Sequence, residues 1–138
     1  MFYTTCNKIN SRSRHYLSSV KKIKSLNPKK WVGIKNNFFS KDRINSRLTI
    51  EKFDKFYLAF SNSDSGNGYK IRMIIFDLDF KVLNTEILDR SLFNQNWNNH
   101  EQCYPYLIKL SNDKFLVFYN GNEYGKYGIG IIQGSITL

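Results

Sequence analysis

The chain has 138 residues, 41% of them hydrophobic and 16% aromatic, with a formal net charge of +10. That is enough apolar material for one domain with one core, and two prolines and eight glycines exclude a low-complexity chain. No stretch approaches the ~20 consecutive apolar residues of a membrane span, and the first five residues have neither the basic start nor the apolar run of a signal peptide, so a cytoplasmic location is expected.

The first predicted strand is Phe2–Asn7, the second His15–Val20, and a third lies near Lys30–Ile34. Strands follow at Arg47–Phe53 and Phe56–Ser61, a turn at Gly66-Asn67-Gly68, and strands at Tyr69–Ile74 and near Val82–Leu88. The turn residues accept the positive φ of a hairpin connection. An asparagine-rich loop at Asn94–Asn99 leads to the last strands, Tyr104–Leu110, Phe115–Asn120 and Tyr127–Ile132. Phe and Tyr, 20 residues together, pack well on pleated sheets. No helical period runs far enough to compete; Arg12–Lys24 comes nearest, and its β-branched and aromatic residues weaken it.

These segments repeat. Phe2–Asn7, Phe56–Ser61 and Phe115–Asn120 are aromatic runs ending in a small polar residue, spaced by 54 and 59 residues. His15–Val20, Tyr69–Ile74 and Tyr127–Ile132 follow them at 54 and 58. A series of four-stranded antiparallel units is the pattern of propeller blades. The expected fold is all-β: a partial five-bladed β-propeller of about two and a half four-stranded antiparallel blades. The units fall at approximately 1–45, 46–100 and 101–138 of a single partial domain. An open propeller leaves blade edges unpaired, so self-association or a missing N-terminal half is expected.

In such a meander the start of the inner strand, the end of the next strand and the loop after it share one face. The residues brought to that mouth are Asn7 and Arg14, then Arg47 and Ser61, then Glu101, Cys103, Tyr104, Asn120, Asn122 and Tyr124. Amide, hydroxyl, guanidinium and aromatic groups together suit sugars, whose hydroxyls meet planar donors and acceptors and whose ring faces stack on aromatic rings. The same Asn and Ser types also serve to bond turn backbones.

Cys103-Tyr104-Pro105-Tyr106, Phe118-Tyr119-Asn120-Gly121-Asn122, Tyr124-Gly125 and Gly128-Ile129-Gly130 resemble the final blade of the five-bladed glycosidase-like propellers, the arabinanase, levanase and invertase type. Cys6-Asn7, Arg14-His15-Tyr16 and Ser46-Arg47 resemble its middle blades, with Leu48 where that family usually has proline. The resemblance implies a glycoside hydrolase-like protein that binds or processes a carbohydrate or glycan. Its enzymes place two carboxyls across the scissile bond. Glu101 is the catalytic candidate, as general acid; Arg14, Arg47, Tyr104, Asn120, Asn122 and Tyr124 are substrate-binding candidates. The base or nucleophile of that family comes from a first blade absent here, so catalysis by this chain alone is not expected.

Other readings stand beside this one. Residues 1–50 carry twelve Lys/Arg and one acid, so a non-catalytic module binding a polyanion through its basic first third is an alternative. Those lysines equally suit a solvated blade rim, and nucleic acid is the less expected partner. An inactive gene fragment is the third reading. Gly128-Ile-Gly130 is no dinucleotide fingerprint, because the next glycine, Gly134, comes one residue late and no helix follows. Cys6 and Cys103 form no paired motif, and His15 and His100 have no ligand spacing, so no metal or cofactor is expected.

Overall fold

The computed structural model describes residues 2–10, 13–20, 44–64 and 68–136, with side chains described at 47–63 and 68–136. Nine strands are found there: β1 Phe2–Asn10, β2 Ser13–Val20, β3 Ile44–Lys52, β4 Tyr57–Asp64, β5 Tyr69–Phe76, β6 Val82–Ile87, β7 Cys103–Lys109, β8 Lys114–Asn120 and β9 Ile129–Ser135. The chain is mostly antiparallel β-structure, and each predicted strand inside the described residues is present within a few positions. The one expected near Lys30–Ile34 and the turn residues Gly66 and Asn67 lie outside them. No helix among the described residues is long and apolar enough to cross a membrane.

Strands β3–β6 form a four-stranded antiparallel meander and β7–β9 a three-stranded one. The β1–β2 hairpin joins the first meander through one parallel pair, Tyr16 with Ile44. The two sheets do not close on each other.

The two meanders repeat one another residue by residue. In β3, Arg47 and Leu48 stand opposite a single β4 residue, because Ser46 pairs with Asn62 and Thr49 with Phe60. In β7, Tyr104 and Pro105 do the same, between the pairs Cys103 with Asn120 and Tyr106 with Phe118. Each bulge opens on a residue in the left-handed region, Arg47 at φ 57° and Tyr104 at φ 54°. Asn62 therefore corresponds to Asn120, an offset of 58. The offset of 59 drawn from the aromatic runs is one residue too long: Tyr57, not Phe56, matches Phe115. Burial at both positions hid the slip, since Phe56 and Phe115 are both in the core.

Strand alternation then decides how the sheets stack. On the first sheet, Leu58, Phe60, Ile71 and Met73 face the second. The second sheet answers with Leu107, Phe115, Val117 and Ile132, which correspond to Ile50, Tyr57, Ala59 and Ile74. Those four lie on the opposite face of the first sheet, in a separate cluster with Phe76. The sheets thus pack front to back, not front to front. Burial of each large apolar side chain here stabilises the fold by roughly 1.5–3 kcal/mol.

Two glycines fit the second sheet to this core. A Cβ on Gly130 would sit 2.3 Å from the Tyr119 ring, and one on Gly134 2.1 Å from the Phe115 ring. Each aromatic ring on β8 lies across a glycine on β9, and Tyr119 pairs with Gly130 and Phe115 with Gly134 in the ladder.

Side chains of the first sheet also hold the backbone of β7. The Tyr104 N–H donates to Asn62 Oδ1 at 2.8 Å, and the Leu107 N–H to Thr49 Oγ1 at 3.1 Å. Asn62 is buried, and this bond satisfies its oxygen where the β7 bulge leaves an amide free. The starts of β3 and β7 are held side by side in this way.

Candidate functional site at the strand mouths

The left-handed backbone at the bulges controls where side chains go. Arg47 and Tyr104 are both turned out at the head of their strands. The Arg47 guanidinium carbon lies 5.0 Å from the centroid of the Tyr104 ring, within range of cation–π attraction. Tyr104 also stacks on Tyr124, with centroids 6.0 Å apart and planes 25° apart. Tyr124 in turn meets Tyr69 at 5.8 Å and 57°. A guanidinium and three phenols thus form one column, with Tyr104 37% and Tyr124 55% exposed.

Tyr124 reaches the column from an unusual turn. Residues Asn122–Gly125 make a single helical turn in which Glu123, Tyr124 and Gly125 have φ of 52°, 59° and 93°. Left-handed backbone disfavours side-chain-bearing residues by about 1–2 kcal/mol each. The turn is closed by the Gly125 N–H donating to Gly121 O at 3.0 Å. Asn120 Nδ2 donates to Tyr124 O at 2.9 Å. Gly125 is required beside it, because a Cβ there would lie 2.9 Å from the Asn120 side chain. Of five non-glycine residues with positive φ in the described chain, four (Arg47, Tyr104, Glu123 and Tyr124) sit at this mouth. Strained backbone collects where a structure holds side chains for a task.

A cleft of about 1160 Å³ adjoins the column, its wall including Lys70, Arg90, Trp97, Glu101, Glu123 and Tyr127. Asn122 builds it. Its Oδ1 accepts from the His100 N–H at 3.0 Å and the Glu101 N–H at 2.9 Å, and its Nδ2 donates to Asn96 O at 2.8 Å and Asn99 Oδ1 at 3.1 Å. One buried amide therefore shapes the whole 96–101 loop. The loop is anchored below by Asn98 Nδ2 donating to the Tyr119 hydroxyl at 2.8 Å and by Trp97 stacked on Tyr119 at 5.9 Å. The Gln102 side-chain amide donates to Asn98 O.

The charges in the cleft are mixed. Lys70 donates to His100 O, and burial together with the nearby Arg90 cation lowers its pKa, against the pull of Glu101. Glu123 is exposed, bonded to Lys126 at 3.0 Å and held below the usual carboxylate range by that bond. Cys103 lies buried at the foot of the site, and desolvation, with the Glu101 charge, pushes its thiol up to about 11. Among the described residues no group of three or more His, Cys, Asp or Glu could hold a metal ion.

The candidates from sequence therefore separate by role. Arg47, Tyr104 and Tyr124 stack together, Asn120 supports Tyr124, and Glu101 lines the cleft. Asn122 is buried and its side chain is occupied with loop amides and carbonyls rather than turned to solvent. The Arg14 side chain and that of Asn7 lie outside the described residues. Sequence reasoning passed over Tyr69, Lys70, Arg90, Trp97 and Tyr127. Tyr69 and Tyr127 head equivalent strand segments, a signal of shared position that the repeat already contained. Trp97 carried no such signal, because its place depends on Asn122 from 25 residues away. No family model, curated protein or solved structure matches the chain.

Proposed function

We propose that the two meanders are consecutive blades of an incomplete glycosidase-like β-propeller, and that the mouth of the strands binds a carbohydrate. The blade reading is supported by the shared bulge and by front-to-back stacking, which sheets arranged radially require of one another. The binding reading is carried by one observation. Arg47, Tyr104 and Tyr124, each in left-handed backbone, stack in an exposed column beside the cleft. Tyr104 and Tyr124 remain partly open to solvent although their rings stack on one another, and exposed aromatic surface suits the apolar side of a sugar ring, while Lys70, Arg90, Glu101 and Asn96 of the cleft offer donors and acceptors for hydroxyls.

Catalysis is not part of this proposal. Glu101 and Glu123 both border the cleft, but Glu123 is engaged with Lys126. Glu101 positions or bonds a hydroxyl in this reading. The polyanion alternative places binding instead on the basic residues 1–50, and it differs in kind because counterion release makes it steeply salt-dependent.

The test is isothermal titration with neutral arabino- and fructo-oligosaccharides at low and high salt. Binding is expected to survive added salt and to weaken about tenfold, equivalent to ~1.4 kcal/mol, in Tyr104→Ala. Absence of binding to every oligosaccharide, or binding indifferent to Tyr104→Ala and Tyr124→Ala, would falsify it.

A further inference from the structure

Lys70, Arg90 and Glu101 reach the cleft from separate parts of the chain, and backbone bonds fix where they meet. Lys70 sits at the head of β5. On one flank the Leu88 N–H donates to Ile71 O at 2.9 Å, so the chain leaving β6 brings Arg90 close to Lys70. On the other flank the Gln102 N–H donates to Tyr69 O at 2.9 Å, which brings Glu101 alongside. Glu101 lies against Gly68, where an added Cβ would be 3.2 Å from its Cγ.

The two cations of the cleft are not matched by an acid. Among the described residues, neither Lys70 nor Arg90 makes an ion pair. Lys70 donates instead to a carbonyl, His100 O. Asp89, next to Arg90 in sequence, accepts from the Ser91 N–H at 2.7 Å and so caps its own turn. Glu123 is engaged with Lys126. Burial first and the Arg90 cation second lower the Lys70 pKa, so the two cations sense each other despite the opposing pull of Glu101. Like charges held together in a partly desolvated cleft repel, and a bound anion removes that penalty. The +10 charge of the chain draws a ligand of the same sign as that anion.

The kind of anion follows from what else is present. Glu101 shares the cleft and repels a doubly charged group more than a singly charged one. Its carboxylate also accepts hydrogen bonds from hydroxyls. The Arg90 guanidinium is a planar fork, a shape that matches a planar carboxylate through two parallel bonds. The Tyr104–Tyr124 stack beside the cleft suits a sugar ring. A sugar ring carrying hydroxyls and a single carboxylate satisfies all of these. We infer that the cleft selects uronic acid residues, whose carboxylate is held by Arg90 and Lys70 while Glu101 accepts from a ring hydroxyl. This inference rests on the carbohydrate reading of the strand mouths and adds a preference within it: uronates bind more tightly than neutral sugars.

The experiment compares uronate oligomers with the same oligomers after methyl esterification, which removes the charge and keeps the rings and linkages. The full chain is titrated calorimetrically with galacturonate, glucuronate and mannuronate trimers and with their esters, neutral arabino- and fructo-oligosaccharides being run in parallel. At least one acid is expected to bind about tenfold more tightly than its ester, and Arg90→Gln to bring that ratio close to one. In the wild-type chain the Arg90 Nε–H signal should shift with the acid and not with the ester, a readout that needs no variant to fold. Acids and esters of equal affinity, or a ratio unmoved by both Arg90→Gln and Lys70→Gln, overturn the inference and leave the carbohydrate reading standing. So does a sulphate ester of a neutral oligomer that binds as tightly as the uronate, because sulphate is not a planar carboxylate. Binding of no oligosaccharide of any kind removes both readings together.

Discussion

Cys103 is small, buried and at the point where the second meander begins, between the cleft loop and the Tyr104 bulge. Its thiol is kept protonated: the ordinary value of 9.0 rises to about 11, chiefly because burial penalises the thiolate. The unfolded chain releases that proton near 9.0, whereas the folded chain keeps it to about 11. The stability tied to this group is thus fully present below pH 9 and is lost as pH climbs towards 11. Thermal unfolding measured from pH 7 to 11 should show a midpoint that falls above pH 9, and Cys103→Ala should reduce that fall. Equal slopes in the two proteins would show that the thiol is not desolvated as described. The same buried thiol should resist alkylation at neutral pH until the chain unfolds, since only the thiolate is reactive.

The strand heads carry the most information at the scale of elements. Alternation and aromatic content made the strands legible, because a two-residue period survives in the sequence wherever one face is buried. The repeat was legible too, yet its register was not. Phe56 and Tyr57 are adjacent aromatics, and only the ladder shows that Tyr57 is the strand residue matching Phe115. The bulges left no local signal, for neither Arg47 nor Tyr104 is a residue that prefers left-handed backbone. They are held there from outside, as when Asn62 accepts from the Tyr104 amide. A substitution separates the strain from its use. Arg47→Gly removes the Cβ that resists φ 57° and also frees the unfolded chain, two effects that offset to within about 1 kcal/mol. Denaturant unfolding should find stability unchanged or slightly raised, while oligosaccharide affinity falls because the guanidinium above Tyr104 is gone. A loss of stability above ~2 kcal/mol would mean that Arg47 serves the fold and not the site.

At the scale of the molecule, the described residues form two sheets of unequal strand number that stack front to back, with their strand heads side by side. That arrangement explains why the candidate site lay partly within reach of the sequence. Arg47, Tyr104, Asn120 and Tyr124 occupy repeat positions, so locating the repeat located them. The cleft did not follow, because the Asn94–Asn99 loop takes its shape from bonds to Asn122 and Tyr119, which are distant from it in sequence, and the loop itself belongs to no repeated segment. In the proposed function, the Arg47–Tyr104–Tyr124 column receives a sugar. Amide and aromatic NMR spectra of the full chain, recorded while a neutral oligosaccharide is added, test it most directly. Shifts are expected to saturate and to cluster at Arg47, Tyr69, Tyr104 and Tyr124, extending to Glu101 and the Trp97 indole. Shifts centred on residues 1–43, or a spectrum that does not change, would contradict it.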